Sequence, residues 1–248
     1  MKKYAAIDWD DTLFDSHRLK MEADSLLVRH GIDPVAASKS IAEEVSKGNL
    51  SLDTYFPEWF AGTLEKCGYA DKATGSRILE EYRSMMRDSS RFLPYSSQVF
   101  IENLRRHLDI EPTIVTYGDD EFQWEKIKNS GLLKTIDPER IFVTQKDKAS
   151  FIRENLIPKL DGDLVYFIND KIGESKKVQD DLNIKSLLKV PPYVERDQGG
   201  HYARHNLKDY TNSGLPYFSD FSDMFFYIQK EQNENKELSP PMEHLSMR

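Results

Sequence analysis

Tyr4-Ala5-Ala6-Ile7-Asp8-Trp9-Asp10-Asp11-Thr12 places a short apolar run directly before three aspartates. An apolar run with no alternation suits a strand covered on both faces, and the abrupt change to carboxylates marks its end. Working outward, further short runs rich in β-branched and aromatic residues follow at 113–116, 141–143 and 164–168, with a shorter one at 186–188 as an edge strand. Helical patterns separate them: Asp119 to Ser130, ended by Gly131; Ala149 to Leu160; and Glu174 to Leu182. Strands alternating with helices predict an α/β fold, a Rossmann-like parallel sheet with crossover helices.

Between the first and second of these strands the texture is purely helical. Leu19, Ala23, Leu26 and Leu27 share one face before Gly31, and Asp33-Pro34 opens a second helix that Gly48 closes. Further helices are expected over 57–67, 72–87 and 96–107. The division that follows is an α/β core from 1–15 and 93–228, an all-α cap over 16–92, and a polar, frayed tail over 229–248. Residues 191–216, with Gly199-Gly200, read as loop, and Phe218 to Ile228 is apolar enough to dock on the body.

Composition narrows the function classes. The 248 residues carry 34 Lys and Arg against 42 Asp and Glu, a formal charge of −8, which argues against nucleic acid as a partner. Mean hydropathy is −0.63, and no apolar run approaches the roughly 18 residues of a spanning helix. The N-terminal apolar run stops at Asp8, too soon for a secretory signal, so a cytoplasmic location is expected. One cysteine, Cys67, excludes an internal disulfide and a cysteine-rich zinc site; it is read as packed in the cap.

In open parallel sheets ligands bind beyond the carboxyl ends of the strands. Those ends carry Asp8, Asp10 and Asp11, then Thr116-Tyr117-Gly118, then Lys146, then Asn169-Asp170 with Glu174 shortly after. Several carboxylates at one point repel, and an oxygen-only set that needs a cation suits Mg²⁺. A carboxylate beside such an ion can attack phosphorus, and a second one two residues on can serve as acid and then base. A hydroxyl and an ammonium can hold the other phosphoryl oxygens. Phosphoryl transfer is the chemistry that uses all of them.

With these motifs in order, the chain resembles the haloacid dehalogenase-like superfamily. Asp8-Trp9-Asp10-Asp11-Thr12 is similar to its first motif, Ile114-Val115-Thr116 to its second, and Asp170 with Glu174 to its fourth. The third is a loop lysine, assigned to Lys146, nearer its strand end, over Lys148. The resemblance implies that Asp8 is the nucleophile and Asp10 the general acid/base, with Thr116 and Lys146 binding phosphate. It also implies that Asp8, the Asp10 backbone carbonyl and Asp170 hold Mg²⁺, with Glu174 as outer support, and that the helical insert is a C1-type cap that reads the substrate. Two positions depart from the pattern: Asp11 stands where the family more often has Gly, and Asn169 where the fourth motif usually starts with Gly.

The expected activity is a Mg²⁺-dependent phosphatase that hydrolyses a small phosphorylated metabolite through an aspartyl-phosphate. A phosphomutase and a non-catalytic phosphate-binding or regulatory module are the alternatives. Tyr55, Phe56, Trp59 and Phe60 are read as cap core with a ring available to substrate, His201 and His205 as surface histidines, and Asp119 and Asp120 as helix-start residues.

Overall fold

The computed structural model describes residues 1–47, 56–195 and 206–237. His201, His205, Tyr55, Gly48 and the end of the expected tail lie outside them. Strand β1 (Lys2–Ile7) is central, with β2 (Ile110–Tyr117) on one side and β4 (Gly162–Asn169) on the other. β3 (Ile141–Thr144) lies beyond β2, and β5 (Lys185–Lys189) and β6 (Tyr217–Phe218) beyond β4. All these pairings are parallel. Residues 4 to 7 are fully buried, which explains the missing alternation: helices cover both faces of a parallel sheet.

β5 is not the edge strand that its short apolar run suggests. Leu188 and Lys189 pair with Tyr217 and Phe218, so a two-residue strand after the 191–216 stretch covers that side. A run that brief carries no readable periodicity. Beyond it, α11 (Phe221–Glu237) extends well into the stretch expected to fray, and Gln232 is buried there with its amide donating to the Leu108 carbonyl. A polar composition concealed a helix that packs by only a few apolar residues, among them Phe221, Met224 and Ile228.

The helical insert comprises α1 (Ser16–Arg29), α2 (Pro34–Ser46), α3 (Phe56–Lys66) and α4 (Lys72–Arg87). Asp15, Asp33 and Asp71 cap three of these by accepting from backbone N–H groups one turn in. α4 buries Ile78, Tyr82, Met85 and Met86, a single stripe at helical spacing. Where the chain leaves and re-enters the sheet, Asp15 N donates to the Phe92 carbonyl at 2.8 Å, and the Phe14 and Phe92 rings meet edge-on with centroids 5.8 Å apart. Both crossings are thus tied at one point. α5 (Tyr95–Leu108) then feeds β2, and Ser97 Oγ donates to the Leu13 carbonyl, anchoring the loop after β1.

On the far side, Asp119 caps α6 (Asp120–Ser130), and Gly131 ends it in the left-handed region. The expected helix from Ala149 to Leu160 is irregular: α7 (Lys148–Phe151) passes into a π turn over 152–156 and a 3₁₀ turn over 157–159 around Pro158. Proline cannot donate to a helical ladder, which accounts for the loosened end. α8 (Ile172–Leu182), α9 (Pro192–Glu195) and α10 (Leu207–Thr211) complete the described helices. Among the described residues, no helix is long and apolar enough to cross a membrane.

Candidate active site

Register brings the predicted residues to one edge. Ile7 lies beside Ile114 in β2 and Ile168 in β4, so Asp8, Thr116 and Asn169-Asp170 all emerge at the carboxyl ends of adjacent strands. Asp8 N donates to the Ile168 carbonyl at 2.8 Å and carries the ladder one residue past the end of β1.

Asp8 and Thr116 are fully enclosed, and Asp170 nearly so. Asp8 Oδ2, Asp170 Oδ1 and Thr116 Oγ1 are buried and have no hydrogen-bond partner among the described residues. Leaving such groups unpaired is costly, and two carboxylates in proximity add repulsion. Burial, with the adjacent Asp8 and Asp11 charges, accordingly pushes the Asp170 carboxyl well above the ordinary carboxylate range against the pull of Lys171 and Lys148.

The lysine at this centre is Lys148, not Lys146. Lys148 Nζ lies 2.8 Å from Asp8 Oδ1 and 2.9 Å from Glu174 Oε2, with its side chain 2% exposed. Lys146 is 59% exposed and reaches away to Glu154. The reason is local: Thr144 Oγ1 accepts the Lys146 N–H and turns that residue outward, whereas Lys148 opens α7, capped by Asp147. Side chains tilt toward a helix N-terminus, so a first-turn lysine leans back over the strand ends. Nearness to the strand in sequence was the wrong criterion.

Glu174 is an organiser. Its carboxylate meets Lys148, Lys171 and the Asn169 amide, which donates at 3.1 Å. Burial favours its neutral form, but the Lys148 and Lys171 charges prevail and hold it below its ordinary value. Asn169, replacing the commoner glycine, therefore has a partner of its own.

Asp10 stands in an unexpected setting. Its Oδ1 accepts from Lys126 Nζ and Ser16 Oγ, and its Oδ2 from Gln123 Nε2 at 2.8 Å. Burial works against ionisation, yet the Lys126 charge and these three donors hold the carboxyl at about 2. Gln123 and Lys126 sit one turn apart on α6, both buried, and sequence reading missed them. Two long polar side chains on the same inward face as Ile127 and Ser130 were the available signal. Gly118 makes room for the arrangement: its φ is +150°, and a Cβ there would lie 2.7 Å from Gln123 Nε2.

Asp11 adopts φ +59°, a left-handed conformation that favours glycine and that aspartate tolerates through local hydrogen bonding. Its carboxylate accepts the His17 N–H at 2.8 Å at the start of α1. Burial raises its carboxyl, with Lys20 at 3.6 Å opposing. Asp11 thus ties the loop after β1 to the start of the helical insert.

The region after residue 190 also reaches the site. Tyr210 Oη donates to the Asp170 carbonyl at 2.8 Å, and the Tyr193 ring stacks on His17 with centroids 4.1 Å apart. Tyr193 and Tyr210 line a cavity of about 460 Å³ together with Asp10, Asp170, Lys126 and the aromatic residues of α3.

Among the described residues, no three Asp, Glu, His or Cys side chains gather into a closed metal cage. Mg²⁺ needs none, since it keeps several waters and binds through one or two carboxylates plus substrate phosphate. The unpartnered oxygens of Asp8 and Asp170 fit that pattern. The Asp10 carboxylate, occupied by Lys126, Ser16 and Gln123, does not supply a ligand.

Comparison with solved structures gives matches over nearly the whole chain. A haloacid dehalogenase-like family hydrolase from Xanthomonas campestris superposes with a TM-score of 0.61 at 15% identity, covering 95% of this chain and 98% of its own. The chain has the haloacid dehalogenase-like fold. The HAD-hydrolase YfnB from Bacillus subtilis, solved bound to magnesium, aligns with a TM-score of 0.57 at 17% identity over 92% of this chain and 99% of that one. A HAD family hydrolase from Deinococcus radiodurans with bound phosphate and sodium gives 0.58 at 12% identity, over 92% and 96%. Other structures with this haloacid dehalogenase-like fold carry the name dehalogenase. No family model and no curated protein matches the sequence.

Proposed function

We propose that the protein is a Mg²⁺-dependent phosphatase that hydrolyses a small phosphate monoester through an aspartyl-phosphate on Asp8. The observation that carries this reading is the set of buried, unpartnered oxygens on Asp8, Asp170 and Thr116 beside the Lys148 ammonium. Structural neighbours with bound magnesium and with bound phosphate are consistent with it.

Asp8 and Asp170 would hold Mg²⁺, which supplies positive charge to the phosphoryl oxygens. In the first half-reaction Asp8 attacks phosphorus, a P–O bond to Asp8 forms, and the bond to the leaving oxygen breaks. Lys148 neutralises charge at Asp8, and the Thr116 hydroxyl donates to a phosphoryl oxygen. The leaving oxygen takes its proton from the Asp10–Lys126 pair, in which the lysine carries it. In the second half-reaction Asp10, a carboxylate in this setting, removes a proton from water as the water attacks the acyl phosphate, and that proton passes to the paired Lys126 to restore its ammonium. Inorganic phosphate leaves and Asp8 is regenerated.

The dehalogenase reading, raised by some neighbours' names, has no use for an organised Asp10. The test is a panel of phosphate esters with Mg²⁺ and with EDTA, using wild-type protein and Asp8→Asn. Hydrolysis that requires both Mg²⁺ and Asp8 is expected. Turnover that persists in Asp8→Asn would overturn the mechanism, and Mg²⁺-independent release of halide from a 2-haloacid would replace it.

A further inference from the structure

Resting on the phosphatase reading, we propose that the leaving group carries a planar aromatic moiety of nucleobase size, held in the cavity between α3, α4 and α6. Five rings form this wall: Phe56, Trp59, Phe60, Tyr82 and Phe122. They make a connected set around Phe56, whose centroid lies 5.0 Å from Phe122, 5.8 Å from Trp59, 5.9 Å from Phe60 and 6.0 Å from Tyr82. All five also border the cavity that Asp10 and Asp170 line. The set packs against the hydrophobic core, with Tyr82 buried in it, and its open side borders the cavity that the carboxylates line.

Geometry ties the two ends together. Phe122 and Gln123 are consecutive in the first turns of α6, so the ring wall and the clamp on Asp10 share one rigid element. Lys126, bonded to Asp10, sits 5.0 Å from the Phe122 ring centroid. A phosphate placed at Asp8 therefore projects its ester substituent past Asp10 toward the rings. The cavity volume falls within the roughly 300–1,000 Å³ of small-molecule sites, larger than a two- or three-carbon substituent fills.

What distinguishes a planar aromatic from an alkyl or sugar group is its π face. Stacking one base on an aromatic side chain is worth roughly ten-fold or more in affinity. The five ring faces offer a bare sugar few hydrogen-bond partners, whereas the polar lining of the cavity, Lys20, Asp24 and Ser38 among it, lies on α1 and α2.

The experiment compares adenosine 5′-monophosphate with ribose 5-phosphate at saturating Mg²⁺. These probes share the phosphate and a primary ester oxygen as the leaving atom, and differ in the base. A kcat/KM at least about ten-fold higher for the nucleotide is expected, with the ratio falling toward one in Phe56→Ala and recovering in Phe56→Tyr. Equal values, or a preference for the sugar phosphate, would overturn the inference while leaving hydrolysis intact. Calorimetric titration of Asp8→Asn with the same probes separates the two readings. If wild type hydrolyses neither probe yet the nucleotide binds at least about ten-fold tighter, the phosphatase fails and the aromatic site stands. Indistinguishable binding there, with no kinetic preference, removes the site.

Discussion

Tyr210 Oη donates a 2.8 Å hydrogen bond to the backbone carbonyl of Asp170, so a residue forty positions downstream braces the strand end that carries the second buried carboxylate. In the enclosed setting of Tyr210, burial pushes its phenol far above the usual range, which keeps it a donor. Tyr210→Phe should cost about 1 kcal/mol of stability, read as a lowered melting temperature. It should also raise the Mg²⁺ concentration for half-maximal activity several-fold. Loss of stability with unchanged Mg²⁺ dependence would make the bond purely structural.

Lys148 and Lys146 give a paired prediction. Lys148→Ala should lower kcat by roughly a hundred-fold or more, because it removes the ammonium that lies 2.8 Å from the Asp8 carboxylate. Lys146→Ala should stay within about two-fold of wild type, since its partner is an exposed carboxylate. Steady-state kinetics on a generic aryl phosphate reads both, and the reverse ranking would reassign the lysine.

Lys126→Met tests the proton supply. Hydrolysis of an alkyl phosphate, whose alkoxide needs a proton, should slow by roughly a hundred-fold or more. An aryl phosphate with a nitrophenolate leaving group should lose far less. Equal losses would mean that Lys126 only shapes Asp10.

Asp147 provides a pH-dependent test. It caps α7 by accepting the Ser150 N–H and pairs with Lys177 at 2.9 Å; these contacts hold its carboxyl below the ordinary value. A depressed carboxyl adds stability that is fully present above its unfolded value of about 4 and fades as the pH falls through the lower folded value. Asp147→Ala should therefore cost about 1 kcal/mol at neutral pH, and the gap between variant and wild type should narrow in acid. Melting temperatures from pH 7 to pH 2 would show it. A constant gap would mean that the charge plays no part.

Asp11→Gly removes the left-handed strain at φ +59° but also the bond to the His17 N–H. The two effects are each of order 1 kcal/mol and opposed, so the melting temperature should change little. With one negative charge fewer, KM for a phosphate ester should fall. Asp11→Ala keeps the strain, loses the bond, and should be the less stable of the two.

Local signals in the chain determined the first five strands, the helix starts at Asp33 and Asp119, and the strand-end positions of Asp8, Thr116 and Asp170. Each depends on near neighbours: an unalternating apolar run, a capping side chain, a parallel register in which loops gather at one edge. Tertiary structure alone decided which lysine meets Asp8, that Gln123 and Lys126 grip Asp10, that β6 covers β5, and that Tyr193 and Tyr210 wall the cavity. Those outcomes depend on the direction a side chain takes from its backbone and on contacts between residues tens to more than a hundred positions apart. Spacing along a single chain encodes neither.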